Sequence, residues 1–199
     1  MSMLDKVVAA VTPPQSAQKR AAARQKARAM AGQNDWLALV LQQHEQIEGA
    51  FAAVQAAREL HTRVLAQKEL AVLLTGHSNA EESVIYPAMV HFGHKAHAMT
   101  GYTEQAGAKA NLGELDYLDP MSQEYLDKLE HVRGAVLHHM YEEESERFLD
   151  LKQELPAADQ ERLTQRFKEE FDRYAGADRV AAPVPGAHVR PAPGAAPSH

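Results

Sequence analysis

The chain has 199 residues, 45% of them apolar and only 6% aromatic, with a formal net charge of −6. That length fits one domain with appendages, the net acidity argues against a general nucleic-acid binder, and the absence of cysteine excludes disulfides, zinc–thiolate sites and iron–sulfur clusters. The opening MSMLDKVVAAVTPP is too charged and too short in its apolar run for a secretory signal, and no apolar run reaches the ~18 residues of a membrane span, so a cytoplasmic location is expected.

In chain order, residues 1–33 form a basic segment. After a short apolar turn and Pro13-Pro14 comes KRAAARQKARAMAG, and residues 1–34 carry six Lys/Arg against Asp5 alone. The body that follows is correspondingly acidic, at −12, so the basic segment is expected to lie on it as a helix rather than to touch nucleic acid. Residues 34–153 read as a helical bundle. Asn34 or Asp35 can cap a first helix with Leu37, Val40, His44, Ile47, Phe51 and Val54 on one face. A second, starting near Thr62 as cap, carries Leu70, Leu74, His77, Glu81, Val84 and Ala88. A third runs from about His94 through Tyr102 and Gln105 to Leu112 and Leu115. Asp119-Pro120, read as a cap with proline at the first helical position, opens a fourth with Leu129, Val132, Val136, His139 and Glu143. Residues 154–175 add a fifth helix from Pro156, with Leu163, Phe167, Phe171 and Tyr174 together. The last segment, 176–199, is rich in Pro, Gly and Ala and is expected to be disordered. No strand-like alternation appears. The fold class is all-α, an up-down four-helix bundle with an extra C-terminal helix and a basic N-terminal segment.

Eleven histidines are the feature to explain. HSNAEESVIYP (77–87) and HMYEEESERF (139–148) each write His-x-x-x-Glu-Glu-x-x-x-aromatic on positions that otherwise belong to the core. Residues four apart differ by only ~40° on a helix, so His77 and Glu81 share a face, as do His139 and Glu143. A buried carboxylate is costly unless paired or metal-bound. In an up-down bundle, groups at one height are equidistant from the intervening turn. The midpoints of His44/His77, Glu81/Tyr102 and Tyr102/His139 fall near Thr62, near Gly93 and on Pro120, each a turn signal. Four helices thus bring His44, His77, Glu81, Tyr102, His139 and Glu143 to one level as a metal site. Imidazoles with bridging carboxylates suit two iron ions, with manganese less favoured; zinc prefers fewer ligands.

This pattern, His44, then His77-x3-Glu81, then a helix-3 ligand, then His139-x3-Glu143, resembles the hemerythrin-like (HHE cation-binding) domain over about residues 35 to 152. The resemblance implies two iron ions beside an oxo or hydroxo bridge. His44 and His77 would hold one iron, His139 and a helix-3 residue the other, and Glu81 and Glu143 would span both. Where relatives place a helix-3 histidine this chain has Gln105. One turn earlier lies Tyr102, to which the tyrosine-ligand role of a subset of the family is carried; Tyr102 packing over the site, with Gln105 or water as the completing group, is the alternative. A phenolate favours the oxidised iron, so the implied chemistry shifts from oxygen carriage toward peroxide decomposition of a catalase-like kind, in the setting of oxidative stress. O2, H2O2 or NO is the expected small-molecule partner, and oxygen, nitric oxide or iron sensing, or iron handling without turnover, is the alternative.

Around this core, Glu48 reads either as a partner of the His44 imidazole or as a solvated glutamate. Glu82, Glu142 and Glu144 read as a solvated face, and His131 and His138 as surface or packing residues. The run His91 to His97 straddles a turn and lacks carboxylates, so it is not read as a second metal site.

Overall fold

The computed structural model describes residues 15–176; the N-terminal turn through Pro14 and the expected tail beyond Gly176 lie outside them. Every regular element among the described residues is helical. Helix α1 is Ala17–Met30 and α2 is Trp36–Ala56. Helix α3 runs through Leu60–Ala80, a π-helical turn at Glu81–Ile85 and Tyr86–His91. Helix α4 is Lys95–Glu114, tightened at its end by a 3-10 turn. Helix α5 repeats the α3 pattern, with Gln123–Glu142, a π turn at Glu143–Arg147 and Phe148–Glu154. Helix α6 is Ala157–Ala175.

Helices α2 to α5 form the bundle, each packed on its neighbour in sequence, with α5 returning to α2. Short connections impose that up-down order. The first cap is as expected: Asp35 accepts from the Ala38 N–H at 2.9 Å. The next two differ. Helix α3 begins at Leu60, ahead of Thr62, with no side-chain cap. At the same end of the bundle the buried Arg63 guanidinium donates to the carbonyls of Ala57 and of Pro120, the latter at 2.7 Å, closing the C-terminus of α2 and fixing the distant turn. In that turn Ser122 N–H bonds Asp119 O at 2.9 Å, so Pro120 occupies a β-turn where its fixed φ is suited. Ser122, not Asp119, then caps α5 by accepting from the Tyr125 N–H at 3.1 Å.

Trp36, Phe51, Tyr86, Phe148, Phe167 and Phe171 are fully buried in the core. Trp36 meets Phe148 edge-on at 5.7 Å. Helix α6 seats its Leu163, Phe167, Phe171 and Ala175 face against α2 and α3. Gly76 permits this approach, since a Cβ there would lie 2.8 Å from the Ala175 methyl. Helix α1 packs its Ala23 and Ala27 face down on α2 and on the π turn of α5, as the charge asymmetry anticipated.

Candidate metal centre

The two π turns decide what faces the bundle axis. In each, an N–H reaches back five residues: Tyr86 N–H to Glu81 O, and Phe148 N–H to Glu143 O. On an uninterrupted α-helix, residues five apart diverge by ~140°. The wider turn keeps the aromatic on the carboxylate's face, and π turns recur at functional sites. This is what the nine-residue spacing from histidine to aromatic encodes, one α turn followed by one π turn.

His44, His77, Glu81 and Glu143 converge in the buried interior, each with a donor atom within 4.8 Å of the others. Each carboxylate faces two ways. Glu81 Oε1 lies 3.3 Å from His77 Nε2, while its Oε2 accepts from Gln105 Nε2 and lies 3.5 Å from the Tyr86 hydroxyl. Glu143 Oε2 lies 3.5 Å from His44 Nε2. Its Oε1 lies 3.2 Å from His139 Nε2 and accepts from the Tyr86 hydroxyl at 2.9 Å. Tyr86 and His139 Nε2 are themselves 3.3 Å apart. The result is two adjoining donor sets, His44 with His77 on one side and His139 with Tyr86 on the other.

Each imidazole is held from behind through Nδ1. Glu144 Oε1 takes His44 at 2.8 Å, Gln43 Oε1 takes His77 at 2.9 Å, and Glu104 Oε2 takes His139 at 2.8 Å. An acceptor at Nδ1 fixes the proton there and turns the Nε2 lone pair inward, as a ligating histidine requires. Two arginines complete the arrangement: Arg24 donates to Glu144 at 2.7 Å, and Arg147 to Glu104 at 2.8 Å. Glu144 is therefore buried and orients His44, correcting its reading as part of a solvated face. Glu48, read either as a partner of His44 or as a solvated glutamate, pairs with Arg24 at 2.7 Å. Arg24 anchors α1 to both carboxylates.

The remaining expected residues divide. Gln105 is buried beside Glu81 and 3.4 Å from His139 Nε2. The Tyr102 hydroxyl points elsewhere, donating to the Glu82 carbonyl at 2.7 Å, with its ring edge-on to Tyr86. The cause is local. Glu82 O lies in the π turn; Tyr86 N–H is already taken by Glu81 O, and Pro87 has no N–H to offer one residue later. Tyr102 satisfies that carbonyl. The hydroxyl that faces the cluster belongs to Tyr86, which the sequence reading missed although it ends the first repeat. Gly101 makes room for it, since a Cβ there would stand 2.7 Å from Tyr86 Cζ. His131 is exposed and His138 half-buried, both outside the cluster.

Electrostatics make the cluster strained without a cation. Burial works to lower His44 and His139, yet Glu143 and Glu144 push His44 up to about 9, and Glu143 and Glu104 push His139 up to about 10. Burial and the His44 charge hold His77 well down. Burial and the Glu143 charge hold Glu81 well up. Against burial, the two imidazolium ions keep Glu143 ionised. Even so, His44 Nε2, His77 Nε2, Glu81 Oε1, Glu143 Oε2 and Gln105 Oε1 are shut off from solvent with no hydrogen-bond partner. The pairs at 3.3 and 3.5 Å are near but not aimed for hydrogen bonding. Such orphans call for an ion or water between them. Donors held ~2.1 Å from one cation stand ~3.0–3.4 Å from one another, close to the 3.2–3.5 Å separations found here. The residues present fit a metal.

A small cavity of about 20 Å³ touches His77, Gln105 and His139 among Leu74, Val136 and Met140. It shares Leu74, Ser78 and Ala108 with a larger cavity of about 180 Å³ between α3 and α4.

The chain matches the hemerythrin HHE cation binding domain over residues 36–151, which contain all of these donors. It is also 30% identical over 95 residues to a DNA nickase of Nostoc sp., a stretch that covers 48% of this chain and 27% of that protein, so the chain spans about a quarter of that relative's length. No solved structure matches it. With its doubled His-x3-Glu pairs on facing helices inside the matched span, the chain belongs to the hemerythrin HHE cation-binding domain family.

Proposed function

We propose that the chain is a non-haem di-iron protein that decomposes peroxide, with His44 and His77 toward one iron, His139 and Tyr86 toward the other, and Glu81 and Glu143 shared between them. The observation that carries this reading is the two-way orientation of both carboxylates, one oxygen toward His44 and His77 and the other toward His139 and Tyr86. Three imidazoles with oxygen donors suit iron, with manganese second. When bound, an iron pair supplies two one-electron redox equivalents side by side, the number a peroxide needs. The protein's own part is positional. Gln43, Glu144 and Glu104 fix the imidazoles, Tyr86 holds its proton on Glu143 Oε1 until a cation displaces it, and Leu74, Val136 and Met140 keep bulk water away. A cavity of about 20 Å³ has room for a water-sized molecule, which favours H2O2, O2 or NO over any larger substrate. A cytoplasmic setting belongs to this proposal.

Metal analysis with steady-state peroxide consumption tests it. The wild type is expected to hold about two irons per chain and to turn peroxide over. His77→Ala and Glu143→Ala are each expected to lose at least one iron and the turnover with it. Two irons retained in both variants would remove the proposed site.

A sensing role is the second reading, favoured by the chain Arg24–Glu144–His44, through which site occupancy reaches α1. Absent peroxide turnover with firmly held iron selects it, and facile iron loss to chelators selects iron handling. The activity named for the Nostoc relative is not carried over, because Arg24 and Arg28 of the basic segment are spent on Glu144, Glu48 and Glu45.

The protonation pattern makes a further prediction. At pH 7 His44, raised to about 9, and His139, raised to about 10, carry protons that a cation must displace. Metal uptake should therefore release protons, and affinity should rise by about tenfold per pH unit for each proton displaced. Calorimetric titration of Fe²⁺ in buffers of different ionisation enthalpy reads the proton count. A count of zero at pH 7 would mean the imidazoles are neutral before binding.

A further inference from the structure

We infer a second, separate metal site where the start of α4 meets the end of α5, built from His94, His97 and Asp150 with Glu154 beside them. In the sequence the histidine run 91–97 lacks a carboxylate within reach. The fold supplies two. His94, His97 and Asp150 each bring a donor atom within 4.8 Å of the others. Glu154 Oε2 lies 3.0 Å from His94 Nε2. The spacing is regular on both helices: His94 and His97 are three apart at the first turn of α4, and Asp150 and Glu154 four apart on α5, so each pair shares a face.

Three observations make this more than a surface ion pair. The two imidazoles lie nearly parallel, 15° between planes with centroids 6.1 Å apart, an arrangement with no hydrogen bond between them. His97 Nδ1 is shielded from solvent and has no hydrogen-bond partner. A buried ring nitrogen left unpartnered beside a carboxylate is a ligand position. Finally, all three residues are half-buried, open enough for an ion to enter without the full cost of stripping its water.

The donor set fixes the class of ion. Two imidazoles with carboxylate oxygen and no thiolate suit a borderline first-row divalent cation of the zinc type, whereas magnesium or calcium would be met by oxygen alone. Three protein donors with Glu154 or water in the fourth place make a tetrahedral set. An ion there would clip the Gly93 turn to the end of α5, joining two segments far apart in sequence and independent of the His44–Glu143 cluster.

Equilibrium dialysis of iron-loaded protein against Zn²⁺ tests the site, with iron and zinc counted separately. The wild type is expected to take up one Zn²⁺ per chain with its iron content unchanged. His94→Ala/His97→Ala is expected to lose that ion, and Asp150→Asn to weaken it by about 100-fold or more, beyond the ~10–100-fold that follows loss of an indirect partner. Asp150→Asn keeps the side chain's shape, so it reports on ligation if the double variant folds poorly. If the protein takes up no iron, the same comparison is made on metal-free protein, where the double variant binds one Zn²⁺ fewer. Equal zinc in wild type and both variants, or none in the wild type, overturns the inference.

Discussion

Stripping the metal is expected to lower the melting temperature by about 10 °C. An ion that binds only the folded state at a hundred- to thousandfold excess over Kd adds ~3–4 kcal/mol, and at this size each kcal/mol moves the midpoint by ~2–4 °C. The protein should stay folded, because Trp36, Phe51, Phe148, Phe167 and Phe171 are fully buried in an apolar core that packs whether or not the ion is bound. What is lost is the partner of five enclosed polar atoms. The stripped protein falls back on imidazolium–carboxylate pairing, which gives the loss a pH signature. His44 and His139 are raised to about 9 and about 10 in the fold. Their contribution is fully present below the unfolded value of ~6.5 and fades as pH rises through those two values. The melting point of stripped protein should therefore fall from pH 7 to pH 10, while the metal-loaded form changes less. Calorimetry on both forms across that range reads it. Identical midpoints with and without metal would show that protein and water already satisfy the cluster.

How much of this was legible beforehand depends on where the backbone kept to a plain α-helix. The four donors His44, His77, Glu81 and Glu143 converge as spacing and turn positions indicated: His44 lies on an uninterrupted α-helix, and the other three lie before or at the start of a π turn, where α periodicity holds. His139 joins them through Glu143. Beyond those points the rule fails. Nine residues on an α-helix end ~180° from where they began, so on a plain α-helix Tyr86 would face away from His77. The π turn reverses that. Sequence did carry the signal: an aromatic at the same offset in both repeats, and Pro87 directly after the first. Tyr102 was drawn toward the site by its level, and the level was sound; the carbonyl orphaned at Glu82 took its hydroxyl. Glu144 was misplaced because Arg24, on a segment with no apolar stripe to declare its docking, shields it from solvent. Long-range partners of that kind leave no local periodicity.

Exchanging the two tyrosines for phenylalanine separates their roles, and opposite results are expected. Tyr86 is fully buried, with its hydroxyl among Glu143 Oε1, His139 Nε2 and Glu81 Oε2. Burial, together with the charges of Glu143 and Glu81, keeps it protonated without metal. If the Tyr86 oxygen holds ferric iron in place of that proton, as proposed, the oxidised protein should show a visible phenolate-to-iron charge-transfer band. Tyr86→Phe should abolish the band and weaken iron in the His139 half by about 10–100-fold or more, since it would remove a proposed donor to the ion. Gly101→Ala should shift or weaken the band with Tyr86 still present, because the added methyl intrudes on the ring. Tyr102→Phe should leave the band in place. Its cost is structural: the Glu82 carbonyl loses its donor, worth ~1–3 kcal/mol of stability. A band that survives Tyr86→Phe and vanishes in Tyr102→Phe would mean that the π turn rearranges on metal binding to free the Tyr102 hydroxyl. A band absent from the wild type would remove both tyrosines from the iron and leave Gln105 beside His139 to complete the site.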